Sequence, residues 1–412
     1  VASFDPGALV DRQPGGRTPL ALIAVIAACS LVALIALAAV AAGSVVSAGI
    51  GLVLALLPIP LVLAGVLYLD RLEPEPPARL MFVFLWGAAV AGLIGLAGTV
   101  TGTRLITVPA LQSGGFAHTA AGASIGAAVA EETLKGAVLA GLLWLRREDL
   151  DGAHDGVVYA SMAGLGFALI ESIYYYAQAI HYGFDSVAVT FVLRGVAAPV
   201  CQSLFTSMIG VGVAYAAMSR TTRARWAVAA GWVAAVVLHA LWNAALAAGV
   251  GALASAYVIL VAVLVILLVA VALDRRRIVA LIVRYLPAHT AAGVATRHDI
   301  AMLSSLRERR LARQWARLHG GLAGLRAVAN YQLAATELAL LHRRAERHLI
   351  DDAAFEVRRD GLEAAMRAAT SDLLARLKDP PRPPWALGGT SCFGPPAPRP
   401  KRRPSGQEPQ PG

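Results

Sequence analysis

Apolar runs long enough to cross a bilayer recur along this chain, and that recurrence limits its fold before any single motif does. A helix rises about 1.5 Å per residue, so about 20 residues cross a hydrocarbon core about 30 Å thick. Runs of that kind occupy residues 19–43, 45–68, 79–100, 121–146, 156–180, 196–218, 226–248 and 251–273. The expected fold is all-α, a polytopic transmembrane helical bundle of about eight spans. The first run is too long for the apolar region of a signal peptide and lacks a cleavage site, so it is kept as a helix. Pro58 and Pro60 in "LLPIPL" predict a kink in the second. The stretch "DSVAVTFVL", residues 185–193, is too short to span and is expected at the interface or as a re-entrant piece.

Composition agrees: 57% of the residues are hydrophobic, 15% are charged, and mean hydropathy is +0.63. The basic excess is uneven. From Asp274 onward there are 24 basic and 13 acidic residues, so the +10 of the whole chain comes from its tail. A basic tail behind apolar spans fits an anionic membrane surface, and no base-reading motif accompanies it, so the expected partner is anionic lipid and not nucleic acid. Arginines at the span flanks fall mostly on one side: Arg12, Arg17, Arg71, Arg79, Arg146, Arg147, Arg220, Arg223, Arg225 and Arg275 among them, against Arg104 and Arg194 opposite. That bias predicts a multi-pass cell-membrane protein with both termini cytoplasmic. Cys29, Cys201 and Cys392 have no paired spacing and suggest neither a disulfide framework nor a thiolate metal site.

The resulting division is a cytoplasmic segment 1–18, a transmembrane domain 19–273, a basic juxtamembrane segment 274–298, a cytoplasmic helical region 299–378 and a Pro-rich, disordered tail 379–412. In the helical region, "HGG" and "RRDG" are expected to interrupt the periodic pattern and give a hairpin or three-helix unit. "DRRRIVALIVRYL" reads as a basic amphipathic stretch on the inner membrane surface.

Ionisable groups inside spans cost energy, so each needs a partner or a purpose. Here they form a set: Glu131, Glu132 and Lys135 in the fourth span, Glu171 in the fifth, Gln202 in the sixth, His239 and Asn243 in the seventh. Counted at about 1.5 Å per residue, Glu131, Glu171 and His239 lie roughly 14–15 Å from the outer ends of their spans, and Gln202 and Asn243 roughly 8–9 Å. Four helices thus deliver polar groups to a shared layer. Glu131 and Lys135 stand at i and i+4 in the favourable acid-first order and are expected to pair, leaving Glu132 turned about 100° away and available. His239 and Asn243 are one turn apart on one face. A carboxylate to polarise water, an imidazole to move a proton and an amide to hold an oxyanion are the components of acyl hydrolysis. Lys135 is one of only three lysines in a chain that otherwise uses arginine.

At these residues the chain resembles the PrsW family of intramembrane proteases, distant relatives of the prenyl-protein (CAAX) proteases. "LYLDRLEPEPPARLMFVFLWGA", the EExxK of Glu131, Glu132 and Lys135, the FxxxE of Phe167 and Glu171, "SLFTSMIGVG" and the HxxxN of His239 and Asn243 follow the family's order on consecutive spans. The resemblance implies a membrane-embedded endopeptidase that cuts a single-pass, membrane-anchored substrate such as an anti-sigma factor. It also implies water activation at Glu131 and Glu132, with His239 as partner base or metal ligand. Two positions depart from the family pattern: Gln202 stands where the family often has His, and Ser172 follows Glu171 where it often has Asn.

Glu131, Glu132, Glu171 and His239 are the available metal ligands. Catalytic zinc more often has two or three His, so the residues allow either a divalent metal such as zinc or a glutamate-activated water with no ion. The bland readings are a buried Glu131–Lys135 pair fixing helix register and an interhelical clasp at His239 and Asn243. Gln202 and Lys135 are supporting residues. A proton- or ion-coupled transporter is the competing function, although the pseudo-repeat of broken helices usual there is missing, and a catalytically inactive scaffold is the third, motivated by Gln202 and Ser172.

Overall fold

The computed structural model describes residues 18–41, 43–71, 74–102, 116–147, 150–219 and 221–377. Among them every regular element is helical. Helices α1 (Thr18–Ala41), α2 (Val45–Leu56), α3 (Ile59–Leu69), α4 (Pro77–Trp86) and α5 (Gly92–Gly102) come first. They are followed by α6 (Phe116–Leu145), α7 (Ala153–Ile180), α8 (Phe184–Thr190), α9 (Ala198–Ala217), α10 (Arg223–Ala248) and α11 (Val250–Tyr285). Single π-helical stretches, Gly87–Ala91 and Phe191–Ala197, join α4 to α5 and α8 to α9.

Six continuous stretches among the described residues are long and apolar enough to cross a membrane: Val45–Leu69, Pro77–Gly95, Ala153–Ile180, Phe184–Ala217, Arg223–Ala248 and Val250–His289. The chain is a multi-pass membrane protein of the all-α class. The other two expected spans are also helical. Within α1 the apolar portion is Ala24–Ile35, and α6 carries Glu131, Glu132 and Lys135 in its middle.

The chain divides into two compact units, one holding the described residues up to Arg277 with Arg344–Asp351, the other Ile278–Arg343 and Asp352 onward. In the first, α7 is the central helix and is buried on all sides over most of its length. It is packed by α9, α2, α4 and α3. Close approach requires small residues at the crossings: a Cβ on Gly164 would lie 2.5 Å from the Gln202 carbonyl oxygen, so only glycine lets α7 press against α9 there. Large apolar side chains point outward, as with Val258 and Ile266 of α11. In a bilayer that exposure is the expected state, because lipid tails are as apolar as the side chains themselves.

Near the arginine-rich ends, charged groups fasten three of these helices. His154 Nε2 lies 2.8 Å from Asp155 and its Nδ1 3.3 Å from Asp274 of α11. Arg275 donates to the carbonyls of Tyr68, at 2.7 Å, and Leu69. Asp70, just past the end of α3, accepts from the Glu75 amide at 3.1 and 3.2 Å, and the Glu75 carboxylate accepts from the Tyr159 hydroxyl at 2.6 Å. Burial pushes the Asp70 carboxyl up to about 7 despite that amide.

In the second unit, α12 (Arg297–Leu303), α13 (Leu306–Glu346) and α14 (Asp352–Arg376) pack around Tyr331, Leu338, Met366 and Leu373. A reciprocal Thr296–Asp299 cap starts α12. Arg309 is buried and donates to the Leu303 carbonyl and the Thr336 hydroxyl.

Several local expectations are corrected. The expected kink at Pro58 is present, between α2 and α3 within the single span Val45–Leu69, but residues 185–193 are not a separate piece: they run through the π-helical stretch into α9 as one 34-residue span. Helix α11 runs past Asp274 to Tyr285. "HGG" does bend α13, at Gly321 with φ 64°, whereas Gly361 of "RRDG" lies inside α14. A single helical glycine costs only about 1 kcal/mol, too little to end a well-packed helix. The real break is at residues 347–351, where His348 takes a left-handed φ of 53°. The expected segments 1–18 and 379–412 lie outside the described residues, apart from Thr18.

Candidate active site

Glu131, Glu132 and Lys135 are buried on α6, Gln202 and Thr206 on α9 and His239 on α10, and the three helices bring them together. Glu132 sits at the centre. Its Oε1 is 2.9 Å from His239 Nδ1 and 2.5 Å from Lys135 Nζ, and its Oε2 accepts from the Thr206 hydroxyl at 3.0 Å. Lys135 also donates to Gln202 Oε1 at 2.6 Å and stands 4.1 Å over the Phe167 ring. The His239 ring stacks on Phe205, with centroids 5.0 Å apart and planes 21° from parallel. The imidazole is therefore fixed by a carboxylate at one nitrogen and an aromatic face along its plane.

The expected pairing on α6 is inverted. Lys135 pairs with Glu132 at i,i+3, and Glu131 is the carboxylate left over. Both spacings are reachable on a helix; the neighbours decide. Thr206, His239 and Gln202 all lie on the Glu132 side of Lys135. Glu131 Oε2 is buried, makes no hydrogen bond with a described residue, and faces His239 Nε2 at 3.4 Å.

Glu171 joins the layer from α7. It accepts from the Gln202 amide at 3.2 Å and pairs with Arg194 of the π-helical stretch at 2.6 Å. Arg194 lies 3.6 Å over Tyr175. Asn243 is on the same face of α10 as His239 but makes no hydrogen bond with a described residue; it is half-buried one turn away. Ser172, the second departure from the family pattern, is buried with its hydroxyl unpaired among the described residues. Arg194 and Thr206 were missed by the sequence reading. Arg194 was legible as a lone charge eight residues before Gln202, but it was counted as a span flank; Thr206 carried no signal beyond standing one turn after Gln202.

The same geometry tests a metal. Among the described residues no group of three or more His, Cys, Asp or Glu side chains is arranged to hold an ion. Both Glu132 oxygens and both Glu171 oxygens are engaged by protein donors. That leaves two residues, Glu131 with its carboxylate and His239 with Nε2, which the Gln202 amide faces at 3.4 Å, beside a buried lysine ammonium. Two protein residues fall short of the three ligands usual for catalytic zinc, so the residues as arranged do not fit the group.

Buried carboxylates, a lysine and a histidine are held in one layer of a multi-pass helical bundle, where ionisable groups need a partner or a purpose. Residues 75–271 match the family model described as PrsW family intramembrane metalloprotease, so this span of the chain is a PrsW-family domain. It is an intramembrane peptidase, a hydrolase. No curated protein and no solved structure matches the chain.

Proposed function

We propose that this chain is an endopeptidase that hydrolyses a peptide bond of a single-pass, membrane-anchored substrate, such as an anti-sigma factor, with water activated between Glu131 and His239. One observation carries the reading: Glu131 accepts no hydrogen bond from a described residue, and its buried Oε2 faces His239 Nε2, the nitrogen turned away from Glu132, at 3.4 Å. A water seated there would donate to Glu131 and, in place of the long Gln202 contact, to His239 Nε2, so it would meet a base on each side, and Glu132 would hold the imidazole in the tautomer that carries its proton on Nδ1. As water attacks the scissile carbonyl, its proton passes to this pair, and the protonated partner then serves the departing amine. The half-buried Asn243 amide, one turn from His239 on α10 and without a hydrogen bond to a described residue, would serve as donor to the developing oxyanion. Glu171 orients Gln202 and is held by Arg194.

The arginine-rich ends of the helices are assigned to the cytoplasm, which places both termini there. The basic region from Asp274 would sit on anionic lipid, and the region from Asp299 onward would regulate or localise the enzyme without taking part in the chemistry.

The test is cleavage of a reconstituted single-pass substrate by the full chain and by Glu131→Gln, Glu132→Gln and His239→Ala. Loss of a general base lowers rates by about 10²–10⁴-fold, and each variant is expected to fall in that range while remaining inserted in the membrane. Wild-type rates from Glu131→Gln would end the assignment.

A further inference from the structure

A cavity lies far from the catalytic layer, at the arginine-rich ends of α6, α9 and α10. It has a volume of about 600 Å³. Its lining combines Arg147, Arg225, Ser219 and Thr222 with Leu143, Val228 and Trp144, the last 86% exposed. Arg147 is held rigidly: its Nε donates to the Ala217 carbonyl at 2.8 Å, and its Nη2 to the carbonyls of Ala216 at 2.9 Å and Ser219 at 2.5 Å. These partners are the terminal carbonyls of α9 and the turn after it, so the guanidinium charge is fixed in place and no carboxylate neutralises it among the described residues. Arg225 is exposed and has no ion-pair partner among the described residues.

We propose that this cavity binds the headgroup of one anionic glycerophospholipid, with an acyl chain laid along Leu143 and Val228. Two guanidinium groups without a carboxylate partner among the described residues, together with two hydroxyl-bearing residues, match a phosphodiester, for which Arg supplies paired donors. A soluble phosphate would use those groups alone. The apolar lining and the exposed Trp144 and Trp226 put the cavity where the headgroup layer meets the tails, as interfacial tryptophans do. A bound lipid would tie together the ends of the three helices that carry Glu132, Gln202 and His239 about 20 Å further along, counted at about 1.5 Å per residue. This site differs from the basic region beyond Asp274, and it does not depend on which residues perform the hydrolysis.

The experiment is native mass spectrometry of the full chain in a neutral detergent, titrated with dioleoyl phosphatidylglycerol, dioleoyl phosphatidylcholine or inorganic phosphate. One phosphatidylglycerol is expected to be retained at concentrations at least about tenfold below those needed for phosphatidylcholine, the ratio that one charge-assisted contact supports. Arg225→Ala, an exposed position where folding is not at risk, should remove that preference, and Arg71→Ala, exposed just past the end of α3 and outside the cavity, should leave it intact. Equal retention of the two lipids, an undiminished preference in Arg225→Ala, or displacement of phosphatidylglycerol by inorganic phosphate would each overturn the proposal.

Discussion

Lys135 Nζ lies 2.6 Å from Gln202 Oε1, and that contact fixes which way the amide of Gln202 points. An ammonium can only donate, so the atom facing it is the oxygen, and the amide nitrogen is turned toward Glu171 at 3.2 Å and His239 Nε2 at 3.4 Å. An N–H group facing Nε2 favours a lone pair there, which leaves the ring proton on Nδ1 beside Glu132. The glutamine that replaces the family's usual histidine thus becomes a device for setting the tautomer of the one imidazole in the layer.

Gln202→Ala removes both amide functions and is expected to lower cleavage by about tenfold or more, the equivalent of one hydrogen bond of about 1.4 kcal/mol. Gln202→Glu is the sharper variant. It keeps an acceptor for Lys135 but has no N–H to turn toward His239, so it should lose as much activity as Gln202→Ala and shift the pH profile of kcat/KM. A Gln202→Glu enzyme with full activity would show that Lys135 alone needed the partner.

Glu132 and Lys135 are both fully buried, so each depends on the other. Glu132→Gln leaves an ammonium without its counter-charge, and breaking a buried pair from one side costs about 3–5 kcal/mol. The thermal midpoint of the detergent-solubilised protein should fall clearly. Adding Lys135→Met to that variant should restore most of the midpoint, because the uncompensated charge is gone, while cleavage stays absent. If the double variant is no more stable than the single one, the pair is not the source of the loss.

Arg194 holds Glu171 and covers Tyr175. Arg194→Ala frees a buried carboxylate beside Gln202 and should reduce both the thermal midpoint and kcat. Arg194→Lys keeps the charge but not the planar stacking on Tyr175, so partial recovery is expected, with stability returning further than activity. Equal behaviour of the two variants would mean that the charge contributes nothing at this position.

The contrast between Arg194 and the α6 carboxylates shows what the sequence could reveal. Membrane-spanning helices were legible because hydropathy acts over some 20 residues and tolerates errors at the ends, and the convergence of Glu131, Glu171, Gln202 and His239 followed from depth alone. Partner choice did not follow. Lys135 can reach Glu131 or Glu132 equally well from its own helix, and only the neighbours on α9 and α10 settle the matter for Glu132. Arg194 was hidden because the span holding it begins twelve residues earlier than hydropathy suggested, at Phe184, which carries the arginine inward from the flank. Asn243 is the opposite case: its spacing places it on the face of His239, but sharing a face does not bring it into contact.

Asp70 offers a test at the other end of the bundle. Its carboxyl is pushed from an ordinary 3.8 up to about 7, first by burial, with the Asp155 charge adding to the rise and the Glu75 amide, His154 and Arg275 opposing it. Between those two values the folded protein holds a proton that the unfolded chain has released, so stability must fall as pH rises through this window. The contribution is fully present below about 4 and is lost once pH passes about 7. Asp70→Asn stays neutral at every pH and keeps a carbonyl to accept from the Glu75 amide. Thermal midpoints of wild type and variant, measured from pH 4 to 8, should therefore lie close at the acid end and diverge toward neutrality, with the variant the more stable at pH 8. Parallel curves across that range would mean that Asp70 is ionised throughout, held by His154 and Arg275 more strongly than burial opposes.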